Sequence, residues 1–188
     1  MIENLKIVLK YLSHFDEDQL SHITNVFKPK SAKRKEIILQ HGEVCNEFYY
    51  VHKGCIRTGF YTKDGHEKTR LIMCDCSIGT ALTSFISQQP SFEFIEAVED
   101  TELLAISRYD FYKLNEEMVE WKIFYQKILE MAYAFQNKKI ESLVTLSAKQ
   151  RYEKSLKENP ALVQRLSNKI LASYLDITQE TLSRLKSQ

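Results

Sequence analysis

The chain has five glycines, and all of them fall between residues 42 and 79 (Gly42, Gly54, Gly59, Gly65 and Gly79). Glycine tolerates positive φ at little steric cost, so this clustering predicts tight turns in that stretch. Between the glycines and just beyond them run short β-branched or aromatic segments: EIIL (36–39), FYYV (48–51), CIRTGFY (55–61), TRLIM (69–73), FEFIEAV (92–98) and ELLAI (102–106). Turn-forming residues separate these segments at His41-Gly42-Glu43, Lys53-Gly54, Lys63-Asp64-Gly65-His66 and Glu99-Asp100. Asp64-Gly65 between two runs is a strong hairpin signal. About eight strands at this spacing predict an all-β roll, barrel or sandwich over residues 27–107. The basic run from Lys28 to Lys35 reads as a solvated turn before the second strand.

The flanks carry a helical period instead. Leu5, Val8, Leu9 and Leu12, then Leu20, Ile23 and Val26, recur at three- and four-residue steps, with Asp16 placed to cap the second helix. From residue 108 onward glycine is absent and Pro160 stands alone. Met118, Trp121, Tyr125, Ile128, Ala132 and Phe135 alternate steps of four and three, which predicts an apolar seam on one long helix. A second apolar set (Ile123, Phe124, Leu129, Met131) suggests that one face packs on the β-rich body. The other face would then meet a second copy in a parallel two-fold dimer.

The stretch from Leu166 to Leu185 reads as two short crossed helices. Ser167 or Asn168 can cap the first, Asp176 can take the left-handed turn, and Thr178 can cap the second, with Glu180 favoured in its first turn. Leu171, Leu175, Ile177, Leu182 and Leu185 would form a small core, and Ala172 would let the helices approach closely. Thr178, Gln179, Glu180, Thr181, Ser183 and Arg184 then face outward. These types match base edges and phosphates in a major groove, and Ser167 and Lys169 suit phosphate. Double-stranded DNA is therefore the expected partner. From Lys138 to the last residue there are ten Lys/Arg against five Asp/Glu, although the whole chain sums to +1. A basic tail on a mildly acidic body fits a polyanion.

Several other classes find little support. No apolar run approaches a bilayer span, and Glu3, Lys6 and Lys10 break the N-terminal stretch, so a cytoplasmic protein without a membrane partner is expected. Cys45, Cys55, Cys74 and Cys76 lack the paired spacing of zinc or iron–sulfur sites and read as free, mostly buried thiols. Cys74 and Cys76 would share one face of a strand. The five histidines are scattered, without the cluster a cupin-like oxygenase needs, so no metal, cofactor or catalytic residue is expected.

FYYVHKGCIRTGFYTKDGHEK, IEAVEDTELLAISRYDFYKL and, most specifically, ASYL-x-IT-x-E-x-LSR resemble the Crp–Fnr family of transcription regulators, in particular its short members in Bacteroidetes-like bacteria. The resemblance implies an α+β architecture. N-terminal helices and a cyclic nucleotide-binding-like β-roll (a double-stranded β-helix or jelly roll) would form a sensor over 1–115. A dimerisation helix would follow over 116–146, and a helix-turn-helix over 147–188. It also implies base reading by Glu180 and Arg184, with RNA polymerase and a small effector as further candidate partners. Two departures stand out. Where cyclic nucleotide binders carry a Gly-Glu pair and then an Arg with a small residue, this chain has Gly79, Thr80 and Ala81, then Ser91, Phe92 and Glu93. A phosphate lacking its charged partner would lose roughly 2–5 kcal/mol, so binding of cyclic AMP or GMP in the usual mode is not expected. The usual hairpin wing has no room over 159–166, and the sequence ends just after the second helix, so DNA affinity should lean on dimerisation.

Overall fold

The computed structural model describes residues 1–187, and within them the β-rich middle forms two four-stranded antiparallel sheets. One sheet has the order β1 (Lys28–Ala32), β8 (Thr101–Ser107), β3 (Glu47–Lys53), β6 (Ile78–Gly79); the other runs β2 (Ile37–Leu39), β7 (Phe94–Ala97), β4 (Cys55–Tyr61), β5 (Glu67–Cys74). Buried residues of both sheets, among them Phe48, Tyr50, Ile56, Met73, Ile95 and Leu104, share one core. The hairpin at Asp64-Gly65 forms, with Gly65 at φ +78° and the Thr62 N–H donating to the His66 carbonyl at 2.8 Å.

Positive φ accounts for Gly42, Gly54 and Gly65, but not for the other two glycines. Gly59 lies inside β4, where a Cβ would stand 2.6 Å from Phe94 and 2.7 Å from the Lys68 carbonyl; at Gly79 it would meet the Met73 sulfur at 2.5 Å. The backbone contact selects glycine at 59, whereas at 79 the obstacle is a flexible methionine side chain. The basic run also differs from expectation, because residues 28–32 form edge strand β1 and the turn begins after them. Lysines and Pro29 on an edge strand discourage pairing with another chain.

Helices α1 (Ile2–Leu12) and α2 (Glu17–Val26) precede the roll, and α3 (Leu82–Ser87) follows β6. Asp16 caps α2 in a full capping box with Gln19. After β8 come α4 (Arg108–Glu117) and the long α5 (Val119–Thr145). The Trp121 indole is fully buried and donates to the Phe111 carbonyl at 3.0 Å, with Phe15, Phe111 and Phe124 around it. Ile128 is also buried, and Met118, Tyr125, Ala132 and Phe135 are half-buried. The seam expected to meet a second copy is thus turned to the chain's own body. Phe124 is buried beside it, while Ile123 and Met131 are exposed.

The C-terminal part comprises α6 (Ala148–Glu158), α7 (Pro160–Arg165), α8 (Asn168–Leu175) and α9 (Gln179–Lys186). It seats on the roll. Arg165 at the end of α7 donates to Asp75 at 2.6 Å and to the Gly54 carbonyl at 3.0 Å, and pairs with Glu99. The Thr69 N–H donates to the Ser173 hydroxyl oxygen at 2.7 Å, Lys169 pairs with Glu67 at 3.3 Å, and Lys68 pairs with Asp176. Val163, Leu166, Leu171 and Leu175 bury their side chains in one cluster with Cys55 and Val98 of the roll.

Two outcomes follow from this packing. Trp121→Ala should cost about 3–5 kcal/mol of folding stability, the range for deleting a buried indole, as read by urea unfolding; dimer dissociation with unchanged stability would restore the sequence reading of that seam. The Arg165 guanidinium holds the Asp75 carboxyl below its ordinary range. A depressed folded-state value means the contribution is complete above about pH 4 and lost as pH falls through the lowered value. Stability measured downward from pH 5 should therefore fall, with a shallower slope in Asp75→Asn; identical slopes would show that the ion pair contributes nothing.

Candidate nucleic-acid interface and roll cavity

Local chemistry builds the α8–α9 pair. The Ser167 hydroxyl oxygen accepts from the Ile170 N–H at 3.3 Å, opening α8. Asp176 closes it in the left-handed region at φ 54°, ψ 49°, and the Ile177 N–H returns to the Ala172 carbonyl at 3.0 Å. Thr178 then caps α9, accepting from the Thr181 N–H at 3.1 Å. Leu171, Ala172, Leu175 and Leu182 are buried, and Ile177 and Leu185 are partly buried against them. Arg151 of α6 ties this unit together by donating to the Leu175 carbonyl at 2.9 Å and the Leu146 carbonyl at 2.7 Å.

With the apolar side used up, Thr178, Gln179, Glu180, Ser183 and Arg184 are exposed and Thr181 is half-exposed. Arg184 donates to the Thr181 hydroxyl oxygen at 3.3 Å, and the Thr181 hydroxyl is also 3.1 Å from that of Thr178. The carboxyl of Glu180 is held below its ordinary range, first by its own backbone N–H and then by the Thr178 hydroxyl. Ser167 and Lys169 lie at the start of α8, also exposed, with Lys169 already paired to Glu67. The structure therefore leaves the predicted outward set free of the roll except for Lys169. The basic character of the tail is partly spent on structure, through Arg151, Arg165 and Lys139, whose ammonium donates to the Tyr174 and Arg70 carbonyls.

The roll holds a second candidate site, a cavity of about 780 Å³ between α1, the β-sheets and α5. Of the five residues expected to line a ligand pocket, Gly79 and Thr80 do so. Ala81 and Ser91 are buried away from it, and Phe92 stands on the surface at 47% exposure. The Thr80 hydroxyl donates to the Glu47 carbonyl at 2.7 Å and touches the Cys45 sulfur at 3.0 Å, so its hydrogen-bonding capacity is engaged in structure.

Glu93, named in the sequence as a departure from the binding motif, supplies the cavity's polar end together with Arg70, Thr58 and Gln136, which the sequence did not single out. Glu93 is 2% exposed, accepts from the Thr58 hydroxyl at 3.0 Å and pairs with Arg70 at 3.0 Å. The Gln136 amide, oriented by its hydrogen bonds, presents its oxygen to Arg70 at 2.7 and 3.0 Å. A β-bulge aims Arg70 there. Thr58 faces Leu71 and Gly59 faces Thr69, which leaves Arg70 without a cross-strand partner. The cavity is thus mainly apolar, with a cation already neutralised by a buried carboxylate.

No curated protein matches the sequence significantly. Residues 29–117 match the family model for the cyclic nucleotide-binding domain. Among solved structures, FixK2 from Bradyrhizobium japonicum is 21% identical and superposes with a TM-score of 0.75 over 87% of this chain and 84% of its own. A putative Crp/Fnr-family transcriptional regulator from Eubacterium rectale is 19% identical, with a TM-score of 0.72 over 91% and 82%. The c-di-GMP-responsive global regulator CLP from Xanthomonas campestris is 16% identical, with a TM-score of 0.70 over 92% and 90%. The chain carries the fold of these regulators, with a cyclic nucleotide-binding domain match over its roll.

Proposed function

We propose that this chain is a dimeric, sequence-specific DNA-binding transcription regulator of the Crp–Fnr type, with α8 and α9 as its helix-turn-helix. The observation that carries the reading is the exposed polar face of α9, where Gln179, Glu180, Ser183 and Arg184 project while Leu182 is fully buried. A helix of this kind docks by its N-terminal half in the major groove, with Arg suited to guanine and Gln to adenine. Regulators among the structural neighbours support the same assignment.

The dimer is assigned to a different face of α5 from the one the apolar seam indicates. Val119, Gln126, Tyr133 and Ile140 repeat every seven residues, as do Ile123, Glu130, Asn137 and Val144. All eight are exposed, with Val119 at 63%, Tyr133 at 71%, Ile140 at 59% and Val144 at 79%. A heptad stripe of this kind, apolar at both ends, suits a parallel two-stranded contact. Cyclic nucleotides are not proposed as ligands in their usual mode, because Arg70 in the cavity is already paired to the buried Glu93. An unidentified effector with a largely apolar body fits the cavity better.

The alternative, a module of this fold that reads no DNA, draws on the pairing of Lys169 with Glu67. A genome-wide selection of bound DNA, followed by anisotropy titrations over a range of salt, separates the two. Arg184→Ala should relax discrimination at one base pair by about 1–3 kcal/mol, whereas Lys169→Ala should weaken all sequences alike. Equal effects of both variants on selected and random duplexes would refute the assigned roles. Absence of salt-dependent binding to any duplex would favour the alternative.

A further inference from the structure

Cys55 on β4 and Cys74 on β5 are direct cross-strand partners, with their sulfur atoms 2.6 Å apart. Both main-chain groups of Cys55 point away from β5. Its N–H donates to the Thr101 hydroxyl oxygen at 3.1 Å, and its carbonyl accepts from the Val98 N–H at 2.8 Å. The pair therefore occupies a non-hydrogen-bonded position, where facing Cα atoms of antiparallel strands approach to about 4.5 Å. That separation lies within the span a disulfide bridges, roughly 4.4–6.8 Å.

Both cysteines are free thiols. The sequence reading paired Cys74 with Cys76 on one strand face, but Cys76 sits past the strand in a left-handed turn at φ 61° and is exposed. Cys55 is buried beneath Val163, Leu166 and Leu171 of the C-terminal helices, and Cys74 packs at the edge of the same cluster, half-exposed. The two sulfurs thus lie in the floor on which α7 and α8 sit.

We propose that Cys55 and Cys74 are a redox site that closes reversibly to an intramolecular disulfide under hydrogen peroxide. Cys74 is the attacking group. It is the accessible member of the pair, and its thiol is pushed down first by the hydrogen bond from Cys55 and then by the Arg165 cation. The Cys74 thiolate forms a bond to one peroxide oxygen as the O–O bond breaks, and the departing hydroxide takes up a proton to become water. The Cys55 thiol then attacks the sulfur of the resulting sulfenic acid, forming the S–S bond and releasing a second water. Two thiols lose two electrons and one peroxide becomes two waters; a small dithiol reverses the reaction. The bridge fixes the ends of β4 and β5 beneath the C-terminal helices.

The test is intact-mass and peptide mapping of the full chain after hydrogen peroxide treatment and thiol blocking. A loss of two hydrogens, a cross-linked peptide containing Cys55 and Cys74, and full reversal by dithiothreitol are expected. The closed loop should also raise the thermal midpoint by roughly 5 °C. Cys76→Ser should form the same bridge, whereas Cys55→Ala should leave Cys74 as a sulfenic acid that a dimedone probe labels. Mapping on the unmodified protein does not depend on either variant folding. Oxidation confined to Cys76, or intact Cys55 and Cys74 thiols after peroxide, would overturn the proposal.

Discussion

Strand β5 ends its sheet, so its outer edge would present unpaired backbone groups to solvent unless something covered them. Helix α8 does so, with the Ser173 hydroxyl oxygen taking the Thr69 N–H and its proton directed back to the Glu67 carbonyl at 3.2 Å. The ion pairs Lys68–Asp176 and Lys169–Glu67 flank that contact. Seating α8 in this way fixes the C-terminal unit against the roll and leaves α9 on the far side, with its polar face outward. The DNA-reading role proposed for α9 depends on that division between a docked helix and a free one.

The bulge at Arg70 gives β5 two roles. Beyond it Leu71 and Met73 pack into the roll core, while before it Glu67 and Thr69 join Arg57 in a polar network under α8. Arg57 is 4% exposed and is paired to both Glu67 and Glu96, so the network satisfies a buried cation where the helix docks. Arg70 itself turns to Glu93 and Gln136 in the cavity, and its carbonyl accepts from Lys139, which also donates to the Tyr174 carbonyl of α8 at 2.8 Å. One strand thus touches the cavity, the long helix and the docked helix within two residues. An occupant that repositions Arg70 would act one residue from the Thr69 contact, which is the physical connection a sensor needs; coupling itself requires both sites to bias that element.

Features decided within a few residues were legible in the sequence. The capping roles of Asp16, Ser167 and Thr178, the left-handed Asp176 and the Asp64-Gly65 turn all rest on side chains bonding to nearby backbone, and each appears as expected. Strands β2 to β5, β7 and β8 were legible because β-branched or aromatic runs between turn residues carry their own signal, whereas the lysine-rich β1 and the two-residue β6 carry none. Features that join distant segments were not. Both faces of α5 carry apolar residues, and the choice was made by Phe15 and Phe111, which claim Trp121 for the interior. The Arg70–Glu93 pair requires the bulge and two strands together, and the Cys55–Cys74 contact requires the register. Gly59 answers to the close Lys68 carbonyl and Phe94 ring rather than to turn geometry.

Hydrogen exchange at a single amide tests the docked arrangement most directly. Thr69 belongs to an edge strand and its N–H is satisfied by Ser173 of α8, 104 positions away in sequence. If α8 seals that edge, the Thr69 amide exchanges slowly in the free protein, and Ser173→Ala accelerates it while the β4–β5 ladder stays protected. Exchange of Thr69 at the rate of an open edge in the unaltered protein would contradict the account.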